Sequence, residues 1–212
     1  MKRALVLCGG WPGHYPEQIS DFAEEKLLND FSVERITDLS FLSSGRLQEF
    51  DLIVPIWTQG KLDRAQEGAL VTAVESGVGI AAWHGIADAF NDNHMFHFVL
   101  GGQFICHPGD FVDYEVEITA SDDPITQGLK GFKLSSEQYY MHTDPANEVL
   151  ATTRFSGGFF PWIDGAIVPV AWKRQWGKGR VFYHSIGHST AELSIPEVLE
   201  MTRRGIQWAV RS

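Results

Sequence analysis

Gly77-Val78-Gly79-Ile80-Ala81-Ala82-Trp83-His84-Gly85 is the stretch on which the reading of this 212-residue chain turns. A glycine-led apolar run without polar alternation reads as a strand buried on both faces, as in the middle of a parallel sheet. It ends in a large aromatic, one polar residue and a glycine, and the small, helix-forming residues Ile86-Ala87-Asp88-Ala89-Phe90 follow. Strand, single polar residue, glycine, helix is the layout of a nucleophile elbow, where a tight turn lifts one side chain above the end of a sheet. Ser or Cys usually holds that position; here it is His84. From this stretch alone, an ordinary histidine at a strand end fits equally well.

The segments before it repeat one pattern. Arg3 to Cys8 reads as a strand, Gly9 to His14 as a turn-rich loop, and Tyr15 to Asp30 as a helix with Ile19, Phe22, Ala23, Leu27 and Leu28 on one side. Phe31 to Thr37 and Asp51 to Trp57 read as strands, and Leu62 to Ser76 as a second amphipathic helix closed by Gly77. Alternating strands and helices imply a parallel sheet covered on both faces. In such a sheet the working site lies at the carboxyl ends of the strands. Three of those ends carry His14, Trp57 to Gln59, and His84.

The second half predicts a short helix over His94 to Leu100, with both of its histidines on a solvated surface, and a loop with a short strand over Gly101 to Pro108. Val112 to Thr119 alternates as a strand, with Val112, Tyr114, Val116 and Ile118 on one face. Asp122 to Leu129 reads as a helical turn, capped by Asp122 or Asp123, started by Pro124 and ended by Gly128. Ser136 to Met141 and Val149 to Arg154 read as strands. Ala166 to Trp172 and Arg180 to His184 pair as a hairpin about Gly177-Lys178-Gly179, and Ile195 to Val210 is a final helix. The length fits one domain over 1–212.

Composition removes several classes of function. A formal net charge of −10 disfavours nucleic acid, which needs clustered Lys and Arg. No apolar run approaches the roughly 20 residues of a membrane helix. The N-terminus lacks the long apolar region and cleavage site of a signal peptide, so a cytoplasmic protein is expected. The two cysteines, Cys8 and Cys106, match no metal-binding spacing, and Cys8 reads as a buried small hydrophobe. No phosphate-binding glycine loop is present, and Gly9-Gly10 with Gly13 is not a dinucleotide fingerprint.

Histidines and aromatics remain as the carriers of chemistry. His188, in Gly187-His188-Ser189 just past a strand, is the better site candidate of the His184 and His188 pair, and a helical zinc motif is excluded there. His107, before Pro108, is ambiguous. Glu137 is either a general base, an orienter of a histidine, or a solvated strand-edge residue. Trp57, Trp83, Trp162, Trp172 and Trp176 fall near strand ends or loops, where flat rings suit either the core or the C–H face of a sugar.

Taken together these runs resemble the trehalose-utilisation (ThuA-like) family. The matching pieces are Gly77-Val78-Gly79-Ile80 through Trp83-His84-Gly85 to Ala89-Phe90, and Gly101-Gly102-Gln103-Phe104 to His107-Pro108. Asp123 to Leu129, Glu137-Gln138-Tyr139, Pro169-Val170-Ala171-Trp172, Gly177 to Tyr183 and Gly187-His188-Ser189 complete them in order. The resemblance implies a class I glutamine amidotransferase-like fold, an α/β flavodoxin-like three-layer sandwich with a mostly parallel sheet. In true amidotransferases the elbow holds a cysteine, and a carboxylate follows the late histidine by two residues. Here His84 stands at the elbow and Thr190 follows His188, so glutaminase chemistry is not expected.

The function so implied is carbohydrate processing in trehalose or disaccharide utilisation, with keto-sugars included. His84, His188 and Glu137 would be catalytic, and His14, Trp57, Gln59, Trp83 and His142 would bind substrate. The resemblance leaves room for a divalent metal ion; a third reading is a metal-dependent hydrolase with His84, His188 and one further histidine, not identified by the sequence, as ligands. The resemblance points to a small carbohydrate as ligand, with neither nucleic acid nor membrane as partner, and leaves a homo-oligomer open. The competing reading is a non-catalytic protein that kept the amidotransferase scaffold and a pocket for a sugar or partner.

Overall fold

Local sequence fixes the first strand by burial on both faces. A computed structural model describes Met1–Ser212, and in it β1 (Lys2–Gly10) sends alternate side chains to opposite sides. Ala4, Val6 and Cys8 enter one core with Ile19 and Ala23 of α1 (Pro16–Lys26) and Val198, Met201 and Ile206 of α5 (Pro196–Ala209). Leu5 and Leu7 enter a second core with Leu70, Ala73 and Val74 of α2 (Arg64–Glu75) and Phe96, Val99 and Leu100 of α3 (His94–Leu100). A two-residue period along one strand thus sets helices on both faces. Each large aliphatic side chain so buried contributes about 1.5–3 kcal/mol. The result is the flavodoxin-like three-layer sandwich expected from the sequence.

The remaining strands are β2 (Phe31–Ile36), β3 (Leu52–Thr58), β4 (Gly79–Trp83), β5 (Gly102–Cys106), β6 (Phe111–Ile118), β7 (Phe132–Glu137), β8 (Tyr140–Thr143), β9 (Glu148–Arg154), β10 (Ile167–Trp176) and β11 (Gly179–His184). The main sheet has the order β2-β1-β3-β4-β11-β10-β9-β6-β7. Strands β2, β1, β3, β4 and β11 run parallel, and β10, β9, β6 and β7 extend them antiparallel. The β10–β11 hairpin pairs Trp176 with Gly179, and Gly177-Lys178 make the turn. Strands β5 and β8 form a separate antiparallel pair. No helix is long and apolar enough to cross a membrane.

Asp122–Leu129 makes the expected helical turn: Oδ1 of Asp123 caps the N–H of Ile125 at 2.9 Å, the Gln127 N–H donates to the Asp123 carbonyl at 2.7 Å, and Gly128 ends it at φ 78°. Three local expectations are corrected. The expected strand over Ser136–Met141 breaks at Gln138-Tyr139, where the Gln138 amide donates to Oγ1 of Thr153 at 2.8 Å. The residues after His84 form a 3₁₀ turn over His84–Asp88, not an α-helix. His97, expected on the surface, is buried with Nδ1 3.2 Å from the carbonyl of Gly102; only His94 faces solvent.

Candidate active site

The elbow is real in backbone terms. His84 sits at φ 47°, a left-handed conformation that a non-glycine residue adopts at a cost of about 1–3 kcal/mol and that concentrates at functional sites. Gly85 next to it has no room for a side chain: a Cβ there would collide with Oγ1 of Thr58 and Nδ1 of His14. The turn therefore draws three strand ends together. His14 follows β1, Thr58 ends β3, and His84 directly follows β4.

The tautomer of His84 follows from its partners. Its Nδ1 lies 3.0 Å from the carbonyl oxygen of Ser185, which can only accept, so Nδ1 carries the proton. Nε2 is then a bare acceptor, and the Tyr139 hydroxyl donates to it at 3.1 Å. Burial holds the Tyr139 phenol well above its ordinary value of 10.0, so it keeps that proton. Tyr183 donates to the backbone carbonyl of His84 at 2.9 Å and fixes the elbow from below.

Glu137 stands at the hub. Its Oε2 is 3.3 Å from Nε2 of His84 and 3.9 Å from Nε2 of His14. Its Oε1 is 3.4 Å from Nδ1 of His188 and 3.9 Å from Nε2 of His107. Burial favours the neutral acid, but contact with the His188 and His84 imidazoles outweighs it and holds the carboxyl well below the usual carboxylate range. Beside Glu137 the His188 imidazole is raised above 6.5. Burial, then the neighbouring His84 and His188 rings, push His14 down to about 3. Thr58 Oγ1 lies 2.8 Å from Nδ1 of His14 and orients that ring.

Oε2 of Glu137 and Nδ1 of His188 are buried and lack a hydrogen-bond partner, as does Nδ1 of His107 beside them. One ligand atom from each of His14, His84, Glu137 and His188 lies within 4.8 Å of the others. Nε2 of His84 and Oε2 of Glu137 face each other at 3.3 Å, a separation that fits either a proton held between imidazole and carboxylate or two ligands on one ion with bonds of about 2 Å. Three imidazoles and a carboxylate favour a transition metal over Mg or Ca. The residues fit such an ion, and the outer bonds from His84 to Ser185 and from His14 to Thr58 are of the kind that orient metal ligands.

The structure thus brings together His84, His188, Glu137 and His14 from the sequence reading. Trp57 and Trp83 line a small hollow of about 20 Å³ beneath His84, with Ile19, Ile56 and Ile86. Trp83 is a core residue, stacked 6.2 Å from His184, and offers no open face for a sugar. Gln59 is exposed at φ 61°, where its backbone pairs with Asp88 and Phe90. His142 is not gathered in: it is exposed on β8, in a separate hollow with Gln103 and Asp144, because the break before Tyr140 turns that strand onto β5. The sequence leaves His107 ambiguous, places Thr58 at the rim only as part of Trp57 to Gln59, and gives Tyr139 no site role. Tyr139 was legible only as a neighbour of Glu137, since no spacing rule shows which way a strand break turns a ring.

Comparison with known proteins agrees with this architecture. The family model ThuA, described as trehalose utilisation, matches residues 3–209. No curated protein is similar enough in sequence to match. Among solved structures, a ThuA-like protein from Parabacteroides merdae superposes with a TM-score of 0.81 at 16% identity, covering 98% of this chain and 89% of its own. Another from Bacteroides uniformis gives 0.77 at 22% identity, covering 97% and 89%. A β-galactosidase from Rahnella sp. R3 gives 0.59 at 17% identity over 87% of this chain but 28% of its own.

Proposed function

The chain belongs to the trehalose-utilisation (ThuA) family, and from that membership we propose that it is a carbohydrate-processing enzyme of disaccharide utilisation, cytoplasmic, with a histidine–carboxylate metal centre at the elbow. The observation that carries the reading is the convergence of one ligand atom from each of His14, His84, Glu137 and His188 within 4.8 Å, with Oε2 of Glu137 buried and without a hydrogen-bond partner. His14, His84, Glu137 and His188 would hold a divalent ion. Such an ion supplies Lewis acidity, polarising a sugar carbonyl or hydroxyl or activating water.

The protein's own groups do the rest. Ser185 locks His84 in the tautomer that presents Nε2 to the centre. Tyr139, stacked on His84 with its hydroxyl 3.1 Å from Nε2, keeps its proton and holds that ring in place. His107 stands outside the four ligands, with Nδ1 3.5 Å from Asp110 and Nε2 3.9 Å from Glu137. An imidazole there is placed to take a proton from a sugar C–H or O–H and return it. With no thiol at the elbow, no covalent acyl step is available.

The test is metal analysis of untagged protein, followed by a screen of disaccharides and their keto-oxidised forms with and without divalent metal. The expected result is close to one metal ion per chain and metal-dependent turnover that His84→Ala abolishes without unfolding the protein. Binding of sugar without turnover under any metal would replace the enzyme with a binding scaffold. A chain that holds no metal and turns over equally well without it would remove the metal.

A further inference from the structure

The polar centre is closed while the rings around it are open. Side-chain exposure is 2% for His84, 8% for Glu137, 12% for His14 and 15% for His188. Trp11, Tyr15 and Phe111 are 43%, 48% and 53% exposed. All three rings border the centre. Trp11 stands 4.8 Å from His14 at 75°, Phe111 stands 4.9 Å from His188 at 86°, and Tyr15 lies 6.4 Å from His188 at 81°. A substrate can reach the centre with one edge only, and the rest of it must lie against these rings.

The rings are held in place rather than loosely displayed. Trp11 lies so close over Gly13 that a Cβ there would collide with the indole. Tyr15 sits at φ 48°, ψ 51°, strained backbone that a non-glycine residue seldom adopts unless its surroundings impose it. Phe111 opens β6 directly opposite Glu137 in the β6–β7 register, so one strand pair carries both hub and rim. The carboxylates near the centre are Glu137, Asp110 and Glu192, and no Lys or Arg is paired with any of them. Such a rim suits a neutral polyhydroxylated ring, with apolar C–H faces for the aromatics and hydroxyls for the centre, and not a phosphate ester.

We infer that Trp11, Tyr15 and Phe111 form an aromatic collar that seats a neutral pyranose ring while one hydroxyl or keto edge of that sugar reaches His14, His84, Glu137 and His188. The inference deepens the function proposed above and rests on it: it names the subsite and selects unphosphorylated sugar. It also moves the sugar platform from Trp57 and Trp83, which line the hollow beneath His84, to the rim.

The experiment is calorimetric titration of the metal-loaded protein with trehalose, its keto-oxidised form and its phosphate monoester. The variants are Trp11→Ala, Phe111→Ala and Tyr15→Gly, with Phe98→Ala as an exposed control beside Trp176 at the β10–β11 turn, the opposite end of the sheet. Tyr15→Gly removes a ring while easing the positive φ, so it keeps the collar testable should an alanine variant misfold. The expected result is binding of at least one neutral sugar, weakened about tenfold by each collar variant. Metal content stays unchanged, Phe98→Ala binds as wild type, and the phosphate ester binds more weakly. Collar variants that bind like wild type overturn the collar and leave the proposed function standing. Tighter binding of the ester overturns the preference for neutral sugar. Wild-type protein that binds none of these sugars removes the collar together with the function it rests on.

Discussion

The main-chain N–H of His188 donates to Oε2 of Glu192 at 2.9 Å, and the N–H of Gly187 donates to the same oxygen at 3.1 Å. Ser189 and Glu192 have the spacing of a capping box at the start of α4 (Thr190–Leu193), and Ser189 is its N-cap. The carboxylate passes over the usual partner and takes the two preceding amides instead. A buried acid thereby ties the loop that carries His188 to the helix behind it.

Removing that acid should therefore be felt at the proposed metal centre. Glu192→Ala leaves two N–H groups without their acceptor, at about 1–3 kcal/mol for each that stays buried. Glu192→Gln keeps a carbonyl acceptor. We expect Glu192→Ala to lower the thermal midpoint and weaken metal binding about 10- to 100-fold, the usual range for loss of an outer-shell contact, with Glu192→Gln close to wild type. Metal titration of both variants is the check. Equal affinity in all three proteins would show that the loop holds His188 unaided.

Gly85 offers a sharper probe, because it touches the centre without supplying a ligand. In Gly85→Ala the new methyl meets Oγ1 of Thr58 and Nδ1 of His14, both in well-packed surroundings. Overpacking of this kind costs typically about 1–3 kcal/mol. The 2.8 Å contact between Thr58 and His14 must open, and the His14 ring loses its orientation. The expected outcome is a folded protein with reduced metal affinity and reduced turnover. A crystal structure with His14 unmoved would refute this account of why a glycine follows His84.

The parallel half of the sheet was legible because β1, β3 and β4 are apolar on both faces and the helices between them announce their ends. Asp63 caps α2 with a full capping box to Gln66, and Gly77 turns the chain at φ 114°. The strand-end rule then placed His14 and His84 at one rim. Legibility failed where a residue's environment comes from distant chain. Glu137-Gln138-Tyr139 reads as continuous strand, yet Gln138 is drawn to Thr153 and Tyr139 to His84. Trp83 and Trp11 look alike as letters, and only the packing of His184 against one and of Gly13 against the other separates core from rim.

His184, one strand position below the site loop, predicts an acid limit on stability. It is fully buried, stacked on Trp83, with Nε2 2.9 Å from Oγ1 of Thr202. The Thr202 hydroxyl donates to Val198 at 2.6 Å, so it accepts from His184, and the imidazole is fixed as a neutral donor at Nε2. Burial, then the nearby His84 ring, lower its value from 6.5 to about 3. A depressed histidine is protonated in the unfolded chain first. Its contribution is constant above pH 6.5 and erodes stability as pH falls from 6.5 toward 3, by about 1.4 kcal/mol per pH unit at the steepest. His188, shifted the other way, opposes this, so the wild-type slope alone is not diagnostic. His184→Gln retains an N–H donor for Thr202 and removes the titration. Urea unfolding of both proteins at pH 7.5, 6 and 5 should give a shallower loss of stability in the variant, even from a lower starting value. Parallel slopes would mean that the core accepts the proton on His184 without penalty.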